Sequence, residues 1–303
     1  MGLNYYVARE VLAARADSGI ASVATMGRFQ HFLLPTQIES LRNRFGLPDG
    51  EWTRQGFGDY EAGFFTSAGA SDVVVVDASP YEGADLIHDL NAPIAPDLEQ
   101  RFDQVVDGGT LEHLFRPDQA LANMMRMVRV GGSLTVWTPA NNLCGHGFYQ
   151  FSPEFFFSAF STERGFRVET LLLVECIYPS VSLVPPRAAY SVRSPREARA
   201  RVQVMSRRPL MLLVRGVKLR HLAQPFAEAP QQSDYEAQWR KGTGATHWAT
   251  RVPAALASMT TRITELVRNG RLTAPIVRRA LGIRERSRFS LRNRAFFARA
   301  RRD

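Results

Sequence analysis

The stretch from Phe102 to Phe115 reads FDQVVDGGTLEHLF, and residues 129–139 read RVGGSLTVWTP. The first stretch predicts a buried strand that ends at Asp107 and breaks on two glycines. The second predicts a helix stop at Gly131-Gly132, followed by an apolar strand over residues 133–138. Strand, helix and strand in this order indicate a βαβ unit, which requires a parallel sheet.

Polar and ionisable side chains follow the first of these strands. In open parallel sheets, ligands bind just outside the carboxyl ends of the strands. Asp107, Glu112 and His113 lie at or soon after such a strand end. An imidazole titrates near neutral pH, so His113 is a candidate general base, with a structural histidine packed under the loop as the alternative. We therefore expect chemistry at this edge of the sheet.

Apolar periodicity along the remaining chain predicts further helices and strands. Helices are expected over residues 4–17, 35–45 and 119–128, and strands over residues 20–26, 73–76, 84–90, 167–177 and 210–217. Residues 46–70 contain six glycines and are expected to form an irregular insertion. Residues 178–207 contain four prolines and are expected to form an inserted cap or loop over the site.

The composition is that of a globular protein with no membrane span. Hydrophobic residues make up 45% of the 303 residues, which argues against wholesale disorder. No run of eighteen apolar residues is present, and the first residues do not have the layout of a secretory signal. Two cysteines, Cys144 and Cys176, are too few for a disulfide framework. These features predict a cytoplasmic protein.

The motifs after the fourth and fifth strands resemble those of class I S-adenosylmethionine (SAM)-dependent methyltransferases. That family carries a strand of the form Phe-Asp-x-Val, a Leu-Glu-His turn, a helix, Gly-Gly and a fifth strand. The resemblance covers residues 18–218. It implies an α/β fold with a Rossmann-like, seven-stranded, mostly parallel sheet whose last strand is antiparallel.

The resemblance also implies SAM as the cofactor and suggests which residues bind it. Gly27 follows the first strand, where the family needs close backbone approach. Asp77 ends the second strand, where an acid accepts hydrogen bonds from the ribose hydroxyls. Asp89 is placed beside the adenine, and Asp107 with Gly108 beside the methionine part of the cofactor. For Asp77 and Asp89, an ordinary turn or helix-cap aspartate is the alternative.

The loop after the first strand departs from the family pattern. The family has an acidic residue followed by three alternate glycines, and here only Gly27 fits. Thr25 stands where the acid is usual, and Phe29 and His31 stand where glycines are usual. Two interpretations follow: the loop binds SAM through altered contacts, or the chain has lost binding.

The stretch after the fifth strand predicts an acceptor pocket, because residues 138–153 are rich in polar side chains, glycines and aromatics at a strand end. His146 and Tyr149 join Glu112 and His113 as catalytic candidates. No metal is expected, because His88, His113 and His146 lack local metal-ligand spacing.

Positive charge is concentrated at the C-terminal end. Residues 251–303 carry fourteen arginines and three acidic residues, a net charge of +11, whereas the whole chain carries +9 and residues 1–250 therefore carry −2. We expect a methyltransferase-like domain over residues 1–221, a linker over 222–250 and a basic, helical extension over 251–303 with a helix at 254–267. Within that extension, residues 251–302 are a candidate for binding an anionic membrane surface or a polyanion, with a solvated or partner-bound tail as the alternative.

The resemblance implies a bacterial-type methyltransferase that acts on a small molecule or a saccharide. Two alternatives stay open. One is a non-catalytic, methyltransferase-like binding or scaffold protein, which the altered first loop favours. The other is an RNA methyltransferase whose basic tail tracks phosphates. The expected location is the cytoplasm, with peripheral membrane association through the tail.

Overall fold

The computed structural model describes residues 2–48, 52–177, 188–233, 235 and 290–300. The chain divides into two compact units. The first comprises Met1–Val192, Arg207–Pro230 and Arg299–Asp303, and the second comprises Arg193–Ser206 and Gln231–Ala298. The predicted domain boundaries at residues 221 and 250 stay predictions, and the predicted helix at 254–267 lies outside the described residues.

Seven α-helices and nine strands are assigned in the described part of the chain. The helices are α1 Tyr5–Ser18, α2 Pro35–Phe45, α3 Arg54–Phe57, α4 Glu61–Ser67, α5 Pro117–Met127, α6 Pro153–Ala159 and α7 Pro195–Ala198. The strands are β1 Ser22–Met26, β2 Asp72–Asp77, β3 Leu86–Ile87, β4 Phe102–Asp107, β5 Val128–Asn141, β6 Phe166–Glu175, β7 Ala188–Val192, β8 Leu210–Lys218 and β9 Phe297–Arg299.

The strands form one mixed sheet in the order β3-β2-β1-β4-β5-β8-β6-β7-β9. Strands β1 to β5 pair parallel with one another, whereas β8 pairs antiparallel with both β5 and β6. The mostly parallel start and the antiparallel late strand agree with the Rossmann-like prediction. The predicted count of seven strands is wrong, because β7 and β9 extend the edge beyond β6.

The strand register brings the ends of three central strands into line. Met26 of β1 is opposite Val76 of β2 and also opposite Asp107 of β4. Asp107 is in turn opposite Val136 of β5. Residues that follow these positions therefore meet at one carboxyl edge of the sheet, which is where ligands bind in this architecture.

Helix α1 is anchored to the sheet by polar contacts as well as by its apolar face. Asn4 caps the helix, its side-chain oxygen accepting hydrogen bonds from the N–H groups of Tyr6 and Val7. The buried guanidinium of Arg215 in β8 donates to Glu10 at 3.1 Å and to Asp17 at 3.2 Å. Removing one partner of such a buried pair leaves an uncompensated charge, so these residues hold α1 in register with the sheet.

The predicted end of the helix before β5 is wrong. Helix α5 ends at Met127, and the strand begins at once with Val128 and runs through the two glycines. Gly131 has a φ of +82°, and the β4–β5 register shifts between Phe102 and Gln104. The glycines therefore mark an irregularity within a strand, where a left-handed residue is needed, and not a helix stop.

The segment 46–70 is more ordered than predicted. Its described residues form α3 and α4, and four aromatic rings of this segment pack edge to face. Those rings belong to Trp52, Phe57, Phe64 and Phe65. All four rings are buried and pack together between short helices. The glycines of this segment therefore do not indicate an irregular loop.

Residues 188–192 of the predicted cap form strand β7, which pairs antiparallel with β6. Residues 178–187 lie outside the described part of the chain. Strand β9 falls within the predicted C-terminal helical extension, so this piece is extended and not helical. Among the described residues, no helix has the length and apolar character needed to cross a membrane.

Candidate active site

Gly27 and Asp77, fifty residues apart in sequence, meet at the carboxyl edge of the sheet. Gly27 has a φ of +71°, and a Cβ placed on it would lie 3.6 Å from Asp77 Oδ2 and 3.2 Å from Thr110 Oγ1. The Thr110 hydroxyl donates to the carbonyl of Met26 at 2.6 Å. The ends of β1, β2 and β4 are thereby joined, as the resemblance implies for a cofactor-binding edge.

The two aspartates expected near ribose and adenine differ in their surroundings. Asp77 Oδ1 accepts a hydrogen bond from Ser79 N at 3.2 Å, while Oδ2 faces Gly27. Asp89 is exposed, and its Oδ1 accepts from both the backbone and the side-chain nitrogen of Asn91. The backbone hydrogen bond from Asn91, followed by that of its side chain, lowers the pKa of Asp89. This geometry favours the turn alternative for Asp89.

Asp107 is fully buried and organises the loop that follows it. Its carboxylate accepts backbone hydrogen bonds from Gly109 and Thr110 through Oδ1 and from Leu111 through Oδ2. Burial nevertheless raises the pKa of this carboxyl. Both oxygens are buried and bonded to backbone N–H groups, so the side chain shapes the loop after β4, and its predicted place beside the methionine part of the cofactor stays a prediction.

Packing against Phe29 requires a glycine at position 108, and its predicted place beside the cofactor stays a prediction. A Cβ at this position would lie 2.8 Å from the ring of Phe29. Phe29, which stands where the family has a glycine, therefore fills the space above Gly108. The sequence alone did not indicate this contact.

Glu61 was not predicted, yet it holds the same loop in place. Its buried carboxylate accepts a hydrogen bond from Phe29 N at 3.0 Å, and its own N–H donates to Phe29 O at 3.1 Å. Burial raises the pKa of Glu61, and the charge of Arg28 partly opposes this shift. Helix α4 thus holds the loop after β1 through two hydrogen bonds between Glu61 and Phe29.

Glu112, His113 and His146 come together at the same edge. The Glu112 carboxylate is 0% exposed, and its Oε2 accepts a hydrogen bond from the Thr138 hydroxyl at 2.9 Å. Its Oε1 lies 3.9 Å from His113 Nε2 and 3.7 Å from His146 Nε2. The two imidazole rings have centroids 5.2 Å apart. Three of the four predicted catalytic residues are therefore neighbours.

Backbone contacts explain why this cluster forms. The carbonyl of Glu112 accepts hydrogen bonds from the N–H groups of Phe148 and Tyr149. Gly147 passes so close that a Cβ there would lie 2.7 Å from the Glu112 carbonyl oxygen. The loop after β5 is thereby tied to the turn after β4, and His146 is brought beside His113.

Burial sets the protonation of the cluster. It raises the pKa of Glu112, and the nearby charge of Asp107 adds to the shift. Burial lowers the pKa of both His113 and His146, and for His146 the neighbouring His113 adds to it. A lowered pKa favours the neutral imidazole, which is the form that accepts a proton or binds a cation.

Tyr149 lies at the rim of the cluster and not within it. Its hydroxyl donates to the carbonyl of Phe115 at 3.0 Å. The Phe115 and Phe148 rings pack edge to face, with centroids 5.8 Å apart, and are 71% and 67% exposed. Two exposed aromatic rings beside polar groups form a surface suited to an organic acceptor, and Tyr149 positions one of them.

A cleft of about 800 Å³ lies elsewhere in the first unit. Residues of α2 and of the segment 52–59 line it, among them Glu39, Arg42 and Arg54. None of the predicted site residues lines this cleft. We place the candidate site at the carboxyl edge because the converging ionisable groups are there.

Comparisons with known proteins give distant structural likenesses only. No protein-family model matches the chain, and no curated protein matches it in sequence. A 1,6-didemethyltoxoflavin-N1-methyltransferase from Burkholderia thailandensis matches with 14% identity and a TM-score of 0.35, over 71% of this chain and 78% of its own. A SAM-dependent methyltransferase from Archaeoglobus fulgidus matches with 12% identity and a TM-score of 0.36, over 71% and 94%.

A third similar structure is that of a protein with a different name, a synthase and not a methyltransferase. It is a branched-chain polyamine synthase from Thermus thermophilus in complex with N4-aminopropylspermidine and 5'-methylthioadenosine, with 13% identity and a TM-score of 0.37, over 75% of this chain and 60% of its own. Identities and TM-scores this low assign neither a reaction nor a substrate to the chain.

Proposed function

We propose that this protein is a SAM-dependent methyltransferase that transfers a methyl group to a small-molecule or saccharide acceptor. The observation that carries the proposal is the meeting of Gly27 and Asp77 at the same sheet edge as the cluster of Glu112, His113 and His146. Both groups follow the carboxyl ends of parallel strands in one sheet, where ligands bind in this architecture.

The SAM side of the proposal rests on Gly27 and Asp77. A positive φ at Gly27 lets the backbone approach a ligand closely, and Asp77 Oδ2 lies beside it. A carboxylate can accept hydrogen bonds from two neighbouring hydroxyls, as a ribose presents them. Asp107 supports this part of the site indirectly, by shaping the loop that bears Thr110.

The acceptor side rests on the histidines and the aromatic rim. Methyl transfer to oxygen requires removal of a proton from the acceptor, and a neutral imidazole at the open edge can take it. Phe115 and Phe148 offer exposed ring faces beside His113 and His146. Exposed aromatic rings can stack against an organic ring or a sugar.

Calorimetry of the full chain with SAM and with its demethylated product tests the proposal. We expect binding of one equivalent of each ligand per chain. Heat changes indistinguishable from dilution at millimolar SAM would instead support the alternative of a binding or scaffold protein. That alternative has one structural observation in its favour, the Phe29 ring that fills the space above Gly108.

The remaining parts of the proposal concern location and the basic segment. We propose a cytoplasmic protein whose residues 251–302 bind an anionic membrane surface, with RNA as the alternative polyanion. The support is the +11 charge of residues 251–303. Vesicles containing anionic lipid should retain the full chain more than zwitterionic vesicles do, and salt should weaken that retention. Tighter, salt-sensitive binding to RNA than to the vesicles would favour the RNA alternative.

A further inference from the structure

Glu112 has one buried carboxylate oxygen with no hydrogen-bond partner in the described part of the chain. Its Oε2 is held by the Thr138 hydroxyl, but Oε1 has no such partner. The whole residue is shielded from solvent. A buried polar group without a partner is costly, so an arrangement of this kind calls for a compensating ligand.

Two imidazole nitrogens point toward that same oxygen. His113 Nε2 and His146 Nε2 lie 3.9 Å and 3.7 Å from Glu112 Oε1, too far for hydrogen bonds. All three atoms lie within 4.8 Å of one another. Ligands of a tetrahedral ion with bonds near 2.05 Å are about 3.3 Å apart. Small side-chain rotations would therefore bring these atoms to metal-binding separations.

The surroundings hold the three residues in place and leave one side open. The Thr138 hydroxyl fixes the Glu112 carboxylate, and the close approach of Gly147 fixes the loop that bears His146. The side chains of His113 and His146 are 47% and 36% exposed. Three protein ligands with an open side are typical of catalytic metal sites, whereas structural sites are closed by four.

We propose that Glu112, His113 and His146 together bind one divalent transition-metal ion of the Zn²⁺ type. Two imidazoles and one carboxylate suit Zn²⁺, Co²⁺, Ni²⁺ or Fe²⁺, whereas Mg²⁺ and Ca²⁺ prefer oxygen ligands alone. The ion neutralises the buried carboxylate and keeps open positions toward the sheet edge. Sequence spacing led us to expect no metal, because thirty-three residues separate His113 from His146.

Ion binding can be measured without methyl transfer, and an imidazole nitrogen that holds the ion no longer accepts a proton from the acceptor. Only the use of the bound ion, which is to hold an oxygen of the methyl acceptor, rests on the proposed function. Cobalt binding without SAM binding would leave this inference standing and remove the proposed function. SAM binding by a chain that takes up no cobalt would remove this inference alone.

Co²⁺ titration of the full chain, after treatment with a chelator, tests the site. We expect one equivalent per chain, with a visible absorption spectrum of bound Co²⁺ that Zn²⁺ abolishes and millimolar Mg²⁺ does not. His113→Ala and His146→Ala should each weaken binding at least about 100-fold. Thr138→Val, which removes only the hydroxyl that orients Glu112, should weaken it about 10- to 100-fold.

Glu112→Gln keeps an oxygen for the Thr138 hydroxyl but removes the ligand charge, and it should also abolish the spectrum. Its matched control is Glu61→Gln, which changes another buried carboxylate with an unpartnered oxygen. His88→Ala, which removes a histidine outside the cluster, is the control for the two histidine variants and should bind Co²⁺ as the wild type does. The proposal is overturned if the wild type shows no Co²⁺ spectrum, if Mg²⁺ displaces Co²⁺, or if the histidine variants bind Co²⁺ as the wild type does. Should Glu112→Gln fail to fold, the partly exposed histidines still decide the question.

Discussion

Phe29 and Gly108 interlock at the carboxyl edge of the sheet: a Cβ at position 108 would lie 2.8 Å from the Phe29 ring. The loop after β1 and the loop after β4 therefore depend on each other. The aromatic residue in the first loop and the glycine in the second pack against each other. The Glu61 carboxylate also holds the first loop, because it accepts a hydrogen bond from Phe29 N.

Gly108→Ala should destabilise the fold by about 1–3 kcal/mol, because the added methyl group is forced against the ring. Urea denaturation measures the free energy of unfolding. In a Phe29→Leu background the same change should lower the free energy of unfolding much less, since the smaller side chain leaves room for the methyl group. Equal costs in the two backgrounds would mean that the ring is not the obstacle.

Asp77→Ala should weaken SAM binding about tenfold or more. The reason is the loss of hydrogen bonds to a charged acceptor, which contribute roughly 1.5–3 kcal/mol. Calorimetry measures the affinity. Asp72→Ala is the matched control, because Asp72 is exposed at the opposite end of the same strand and should leave SAM binding unchanged. Unchanged affinity in the Asp77 variant would remove the ribose assignment.

His113→Ala should reduce turnover about 100-fold or more while SAM affinity stays within about twofold. An imidazole that removes a proton contributes an effect of this size, and loss of a metal ligand acts in the same direction. Turnover is followed as release of the demethylated cofactor. His88→Ala should behave as the wild type. A parallel drop in SAM affinity and melting temperature would identify His113 as structural.

Glu61→Gln should change how stability depends on pH. Burial raises the pKa of Glu61 above 4.5, so the folded chain keeps a proton that the unfolded chain releases. The stabilisation from that proton is complete below the unfolded pKa and is lost as the pH rises through the folded pKa. Glutamine keeps an oxygen for Phe29 N–H and does not ionise.

The melting temperature of this variant, relative to the wild type, should therefore increase as the pH rises above about 4.5. Thermal melts followed by circular dichroism measure it. Glu39→Gln, an exposed position on α2, should show no such trend. A constant difference across this range would mean that Glu61 titrates normally in the folded chain.

Local sequence determined several elements of the fold. The strand Phe102–Asp107 was predicted because an apolar run ends on a polar residue and two glycines. Helix α2 was predicted with its observed ends from the spacing of its apolar residues, and in the structure Pro35 begins it and Gly46, with a φ of +60°, caps its end. These signals depend on a few neighbouring residues, and therefore they can be recognised in the sequence.

Other features depend on contacts between distant residues. The glycines at 131 and 132 look like a helix stop, but pairing between β4 and β5 draws them into a strand. The segment 46–70 looks irregular until its aromatic rings pack together. Strand pairing and ring packing are long-range, so periodicity along the chain did not reveal them.

The sequence by itself placed Gly27, Asp77, Glu112 and His113 near one sheet edge, because each follows or ends a strand of a parallel sheet. Only the tertiary structure decided what each side chain does there. Asp107 is fully buried, with its carboxylate bonded to three backbone N–H groups, which its place at a strand end did not reveal. His146 joins Glu112 because two loops share backbone hydrogen bonds. The physical reason is that strand ends follow from local chain pattern, whereas burial and side-chain convergence arise from packing between segments far apart in sequence.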